Sequence, residues 1–195
     1  MSIKSIYTIF KSKYQNINAT QDIDYFPLIY YSVYLMKTFS ITGWSGSGKT
    51  ELITRLIKHC KKKNRKVVAV KNVPHKLYLE PESTDTFKFF EAGADEVCLT
   101  AKNQLLTVKP LKEETDVISL LEQEYTNCDY LLLEGLRKDG IPMIEVFNST
   151  KHDTPKLPIH KLCAVVSDKS VSSSIPHFHP DEIDKIISFM EVYNG

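Results

Sequence analysis

The chain has 195 residues, 42% of them hydrophobic, with 25 basic and 24 acidic side chains and a formal net charge of +1. That length suits one well-buried domain and gives no sign of two. The near balance of charge argues against a nucleic-acid partner, which needs a concentrated basic surface, because the single basic run, Lys58 to Lys66, falls where a helix should end and complements its dipole.

Residues 1–35 stand apart from the rest of the chain, being rich in Tyr, Ile, Asn and Lys and without glycine or arginine. The apolar piece Phe26 to Met36 is too short to span a bilayer. It also lies beyond Asp22 and Asp24, too far from the basic start for a secretory signal, and the missing arginine argues against a transit peptide. The expectation is an N-terminal extension over residues 1–35, poorly ordered or not native to the fold, with Met36 as the functional start of a domain over 36–195. A second reading packs Tyr25 to Tyr34 on that domain as an extra helix or strand.

The organising stretch comes next. Phe39-Ser-Ile-Thr42 reads as a strand, Gly43-Trp-Ser-Gly-Ser-Gly-Lys-Thr50 as a phosphate loop, and Glu51 to Leu56 as the helix it opens. Gly43, Gly46 and Gly48, with Ser45 and Ser47 between them, let successive N–H groups turn around one anion, helped by the positive end of the helix. Lys49 is placed to reach the terminal phosphates, and the Thr50 hydroxyl to sit on a bridging magnesium ion. Leu52, Ile53, Leu56 and Ile57 form the helix's buried face. The domain over 36–195 is therefore expected to bind a nucleotide.

Lys66 to Lys71 is a second buried strand, and its outlet carries Lys71 and His75. Ligands gather beyond the carboxyl ends of parallel strands, so both residues face the nucleotide or a second substrate, with an ordinary surface loop as the other reading of His75. A helix over Thr84 to Ala92, closed by Gly93, follows. Two readings of Asp85 stand together: a cap of this helix, or an outer-sphere contact to magnesium or the γ-phosphate.

Glu96 to Thr100 and Gln104 to Val108 read as a hairpin at an edge of the sheet, and Leu111 to Tyr125 as an amphipathic helix. In Asp129-Tyr-Leu-Leu-Leu-Glu-Gly135 three consecutive leucines indicate a strand buried on both faces. Asp129 enters at the amino end, away from the ligand edge. Glu134 leaves at the carboxyl end, where it can hold a magnesium-bound or attacking water, so it is both the catalytic and the metal-site candidate. Met143 to Phe147 is a further strand, and Asn148 to His160 a polar, proline-broken loop of a kind that closes over a site or stays mobile.

Leu162 to Val166 is read as the last strand. Asp168, just past it, is placed to accept from the two adjacent N–H groups that guanine has and adenine lacks. Residues 170–179 read as loop, with His177 and His179 lacking a third metal ligand nearby, and a helix starts at Pro180. Cys60, Cys98, Cys128 and Cys163 form no C-x-x-C pair, look like small buried hydrophobes, and fit a reducing compartment. The pattern predicts an α/β fold of three layers, with a mostly parallel central sheet and helices on both faces.

The phosphate loop, Lys71 with His75, Asp85-Thr86 followed by Glu91-Ala-Gly-Ala94, and Leu133-Glu-Gly135 ahead of Ile144-Glu-Val146 occur together in this order. Over Met36 to about Tyr193 the chain resembles the MobB family, the molybdopterin-guanine dinucleotide biosynthesis adapter proteins. The resemblance implies a cytoplasmic, homodimeric P-loop protein that binds GTP with Mg2+ and is at most a weak GTPase. It further implies assistance to the MobA-type guanylyltransferase that joins GMP to molybdopterin, with molybdopterin itself a further ligand. By position, Gly46, Gly48, Lys49 and Thr50 would hold phosphate and magnesium, with Glu134 near the metal. The chain departs from the family's histidines near Asn72 and Pro74, its acid at Lys76, and its Gly-Lys at Ser83-Thr84. The alternative from the residues is a P-loop small-molecule kinase or NTPase. A kinase needs charge stabilisation for the moving phosphoryl group, and Arg137 would have to supply it almost alone.

Overall fold

A computed structural model describes residues 36–73, 84–171 and 174–194. The expectations for residues 1–35 and for His75 lie outside the described residues. The first strand, β1 (Lys37–Thr42), carries Phe39 and Ile41 on one face and Thr38, Ser40 and Thr42 on the other, all buried. The apolar face needs a helix over it. The sequence supplies α1 (Lys49–Lys62), whose Leu52, Ile53, Leu56 and Cys60 fall on one side at helical spacing and pack against Phe39 and Ile41. The polar face needs hydrogen-bond partners instead, because a buried hydroxyl without one is costly. Thr38 Oγ1 donates to Glu122 Oε1 at 2.7 Å and Ser40 Oγ to the Leu136 carbonyl.

Beyond α1 the chain forms β2 (Val67–Lys71), α2 (Asp85–Glu91), a hairpin of β3 (Val97–Ala101) and β4 (Gln104–Val108), α3 (Val117–Glu124), β5 (Tyr130–Glu134) and β6 (Met143–Phe147). A turn of 3-10 helix (Ile159–Lys161), β7 (Ala164–Ser167), β8 (His177–Phe178) and α4 (Ile183–Val192) complete the described elements. The main sheet runs β2-β5-β1-β6-β7-β8, and every pair in it is parallel. Strand β5 sits beside β1 and is buried on both faces, as its leucines predict: Tyr130 and Leu132 join the α1 side with Ile186, Ile187 and Met190 of α4, while Leu131 and Leu133 pack with Ile118 of α3. Each such fully buried side chain contributes roughly 1.5–3 kcal/mol. Helices thus cover both faces, and the three-layer α/β fold is as the sequence indicates.

Five local expectations are corrected. The strand read as buried over Lys66 to Lys71 is β2, an edge strand with no fully buried residue, because only β5 pairs with it. The β3/β4 hairpin is not at an edge of the main sheet; it is a separate two-stranded antiparallel ribbon turning through Lys102 and Asn103. Alternation marks a strand but not the sheet it joins, and Leu105 and Leu106 of β4 are exposed. The helix expected from Leu111 begins only at Val117, because Asp116 caps it by accepting from Ser119 N at 3.2 Å. Residues 170–179 are not all loop, since His177–Phe178 adds a short parallel strand beside β7. Nor are all the cysteines buried, for Cys98 is exposed on β3.

Because the main sheet is wholly parallel, the carboxyl ends of its strands lie along one edge. Gly43 after β1, Lys71 of β2, Glu134 of β5, Asn148 after β6 and Asp168 after β7 are all delivered there. The strand order also reverses at β1, where the chain runs to β2 on one side and β6 lies on the other, and such a crevice is where open sheets bind ligands.

Candidate functional site

The loop between β1 and α1 is shaped by three glycines with positive φ: Gly43 at 136°, Gly46 at 69° and Gly48 at 103°. Gly48 occupies the N-cap of α1 and offers no side chain to the helix's first amides, so those N–H groups remain for an anion. Ser47 Oγ is buried inside the loop with no hydrogen-bond partner among the described residues. A buried hydroxyl without a partner and uncapped amides in one loop are the expected features of a site that gains its partner from a ligand.

Lys49 folds back over the loop. Its ammonium donates to the Trp44 carbonyl at 2.7 Å and to the Gly43 carbonyl at 3.3 Å. Its pKa is lowered, first by burial, with Lys156 and Lys71 adding repulsion and Glu134 and Glu145 opposing it. An arriving polyanion reverses that balance. Thr50 Oγ1 donates to Glu134 Oε2 at 2.9 Å, and Lys71 Nζ lies 3.1 Å from Glu134 Oε1. Lys49, Thr50, Lys71 and Glu134 are therefore brought together.

The hydroxyl and carboxylate suit magnesium, which takes one or two protein oxygens and completes its octahedron with waters and phosphate oxygens. Among the described residues no group of three or more His, Cys, Asp or Glu is placed to hold a metal ion by itself. His177 and His179 do not act as a pair: the first contacts Ser167 Oγ at 3.0 Å, while the second faces Asp181 at 3.4 Å.

Two other sequence candidates have partners of their own. Thr84 caps α2 by accepting from Phe87 N at 3.4 Å, and Asp85 pairs with Lys88 at 2.9 Å on an exposed helix surface. Asp168 accepts from Ser149 N at 3.0 Å and Ser149 Oγ at 2.6 Å, and these bonds lower its pKa. Asp129, at the amino end of β5 as read from the sequence, accepts from Lys66 N at 2.7 Å and Arg65 Nη1 at 2.9 Å.

The segment after β6, read from its composition as a loop that closes over a site or stays mobile with no individual residue singled out, lies against the phosphate loop. Trp44 Nε1 donates to the Thr154 carbonyl at 3.0 Å, and its ring stacks on His152 with centroids 5.2 Å apart at 22°. Lys156 Nζ sits 5.6 Å from the Trp44 centroid, and Lys151 Nζ donates to the Gly46 carbonyl at 2.9 Å. The anchor is Glu145 on β6, fully buried, which accepts from Lys156 N and, at 2.9 Å, from Leu157 N. Burial raises its pKa against the opposing pull of those two amides. A carboxylate in the middle of the apolar run Met-Ile-Glu-Val-Phe was the available signal, since a buried acid requires donors from somewhere.

A family model for molybdopterin guanine dinucleotide synthesis protein B matches residues 38–168. The chain is 30% identical over 105 residues to the molybdopterin-guanine dinucleotide biosynthesis adapter protein of Haemophilus influenzae, an alignment covering 53% of this chain and 59% of that one. It is 24% identical over 170 residues to the protein of that name from Escherichia coli, covering 83% and 97% of the two chains. A crystal structure of molybdopterin-guanine biosynthesis protein B superposes with a TM-score of 0.60 at 27% identity, covering 78% of this chain and 97% of the other. Bacillus subtilis MobB shares the fold, with a TM-score of 0.58 at 22% identity over 82% of this chain.

Proposed function

The chain belongs to the MobB family, with a model match spanning residues 38–168, and from that premise we propose that it is a GTP-binding adapter in molybdopterin guanine dinucleotide biosynthesis. The curated relatives bear the name of adapter in that synthesis. The observation that carries the nucleotide reading is the Thr50–Glu134 contact of 2.9 Å beside the glycine loop and Lys49. The Thr50 hydroxyl and the Glu134 carboxylate would hold a magnesium ion there, which would supply positive charge beside the phosphates. Gly43, Ser45, Gly46, Ser47 and Gly48 supply the cradle, Lys49 the charge, Thr50 and Glu134 the metal oxygens. Asp168 is assigned to the guanine base in this reading, each of its carboxylate oxygens keeping a further lone pair beside the bond it accepts from Ser149.

The partner in this reading is the MobA-type guanylyltransferase, which the adapter would supply with nucleotide as a cytoplasmic homodimer. Hydrolysis is slow in this reading, because Glu134 is shared between the metal site and Lys71, 3.1 Å away, and is not free to act as a base on water. Calorimetric titration of GTP and ATP, with and without magnesium, into wild type and Lys49→Ala tests the site and the base together. Magnesium-dependent GTP binding that Lys49→Ala abolishes is expected. A folded wild type that binds no nucleoside triphosphate refutes the mechanism, and rapid phosphoryl transfer to a small acceptor favours the kinase alternative.

A further inference from the structure

Resting on the nucleotide-binding reading above, we propose that Lys151 is a second phosphate-binding cation of the loop, delivered by the segment between β6 and β7. Its ammonium donates to the Gly46 carbonyl at 2.9 Å. It is also the one heavy atom near the position a Cβ would take on Gly46, at 3.8 Å. The apex of the phosphate loop is otherwise open on that side among the described residues.

Several ties hold the lysine there. Asp168 grips the start of the segment through Ser149 N and Oγ, at 3.0 and 2.6 Å. Glu145 grips its end through Lys156 N and Leu157 N. Between the two, Trp44 of the loop itself is bonded to the Thr154 carbonyl and stacked on His152. A long side chain on a free surface loop spends its time in water, and this one is carried on a segment fixed at both ends and in the middle.

Lys71 and Lys151 differ in whether a carboxylate meets them. Lys71 is neutralised by Glu134 at 3.1 Å. Lys151 faces only a neutral carbonyl, has no carboxylate partner among the described residues, and keeps two of its three donors for something else. A polyphosphate held by the loop brings the anionic oxygens that such a group lacks, and a hydrogen bond between charged groups is about twice as strong as one between neutral groups. Asp168 and Glu145 are then positioning residues, acting on phosphate through the segment they clamp.

The competing role for Lys151 is a structural tie to Gly46, and three substitutions separate the two. Lys151→Ala removes tie and charge, Lys151→Gln keeps a donor for the carbonyl without the charge, and Lys151→Arg keeps the charge. Dissociation constants are measured calorimetrically with magnesium and either GTP or ATP, so that base preference does not enter, with Lys49→Ala alongside. The Ala and Gln variants are expected to bind triphosphate roughly tenfold more weakly, the cost of one hydrogen bond to a charged group, and Arg to restore binding. Wild-type affinity in Lys151→Gln or Lys151→Ala overturns the inference, and if Lys49→Ala still abolishes binding the nucleotide reading stands without it. A folded wild type that binds neither nucleotide overturns both.

Discussion

Replacing Gly43 by alanine should destabilise the protein far more than replacing Gly46, although both glycines have positive φ in the same loop. The parallel register pairs Ile41 with Ile144 and Thr42 with Glu145, so the next residue, Gly43, passes directly beside Val146. A Cβ there would sit 2.3 Å from the Val146 carbonyl oxygen and 2.8 Å from Ser47 Oγ. The carbonyl cannot retreat, because Val146 is paired on its other side with Val166. Backbone strain at a φ of 136° costs about 1–3 kcal/mol, and overpacking against fixed backbone about as much again. The sum, about 4 kcal/mol, lowers a urea midpoint by about 2 M if the denaturant slope is about 2 kcal/mol/M. At Gly46 the new Cβ meets only the flexible end of Lys151 at 3.8 Å, leaving the left-handed backbone cost of about 1–2 kcal/mol and a shift of at most about 1 M. Far-UV circular dichroism is the assay, since Trp44 beside the mutation reports local change. Equal midpoints for the two variants would refute the claim that close approach to β6 sets the requirement at Gly43.

Glu145 and the cysteines give two further tests. Burial raises the Glu145 carboxyl above its ordinary value, so the folded state binds that proton more tightly than the unfolded chain. Its contribution is therefore most favourable below the unfolded carboxylate pKa, about 4.3, and is lost as pH rises through the higher folded value. The stability of wild type relative to Glu145→Gln should fall with rising pH across that window and then level, as followed by urea unfolding at a series of pH values; a flat difference contradicts the burial. Burial also pushes the Cys60 thiol up to about 11 and the Cys163 thiol up to about 12, and raises Cys128, whereas Cys98 is exposed. With a chromogenic disulfide reagent at pH 8, Cys98 should react promptly in the native protein and the other three only on unfolding, because the thiolate is the reactive form. Prompt labelling of Cys60 or Cys163 would show that their packing is misassigned.

Strand direction made much of this fold legible in advance. Three leucines in a row marked β5 as central, and the glycine loop after Thr42 set the carboxyl edge as the ligand side. Together they assigned Glu134 to that edge and Asp129 to the other, and the two acids, five residues apart in sequence, hold those opposite positions. What stayed illegible depended on partners distant in sequence. The alternating residues of β3 and β4 specify a ribbon equally well whether it joins the main sheet or pairs only with itself, and the apolar period over 111–125 does not show that Asp116 starts the helix late.

The site divides in the same way. Apart from Trp44, each residue of the phosphate loop could be given a candidate role from the loop's own spacing, because that chemistry is contained in eight consecutive positions. Lys151, His152 and Lys156 lie about a hundred residues further on, in a stretch whose prolines and polar composition suggested a loop that closes over a site or stays mobile, without saying which. Their place depends on Glu145, whose buried carboxylate requires two amides and takes them from Lys156 and Leu157. A burial cost on β6 is thereby converted into order over the phosphate loop. If that coupling holds, the acid inside the sheet and the cation above the ligand work as one unit: weakening the first should lower nucleotide affinity without removing any group that could touch phosphate.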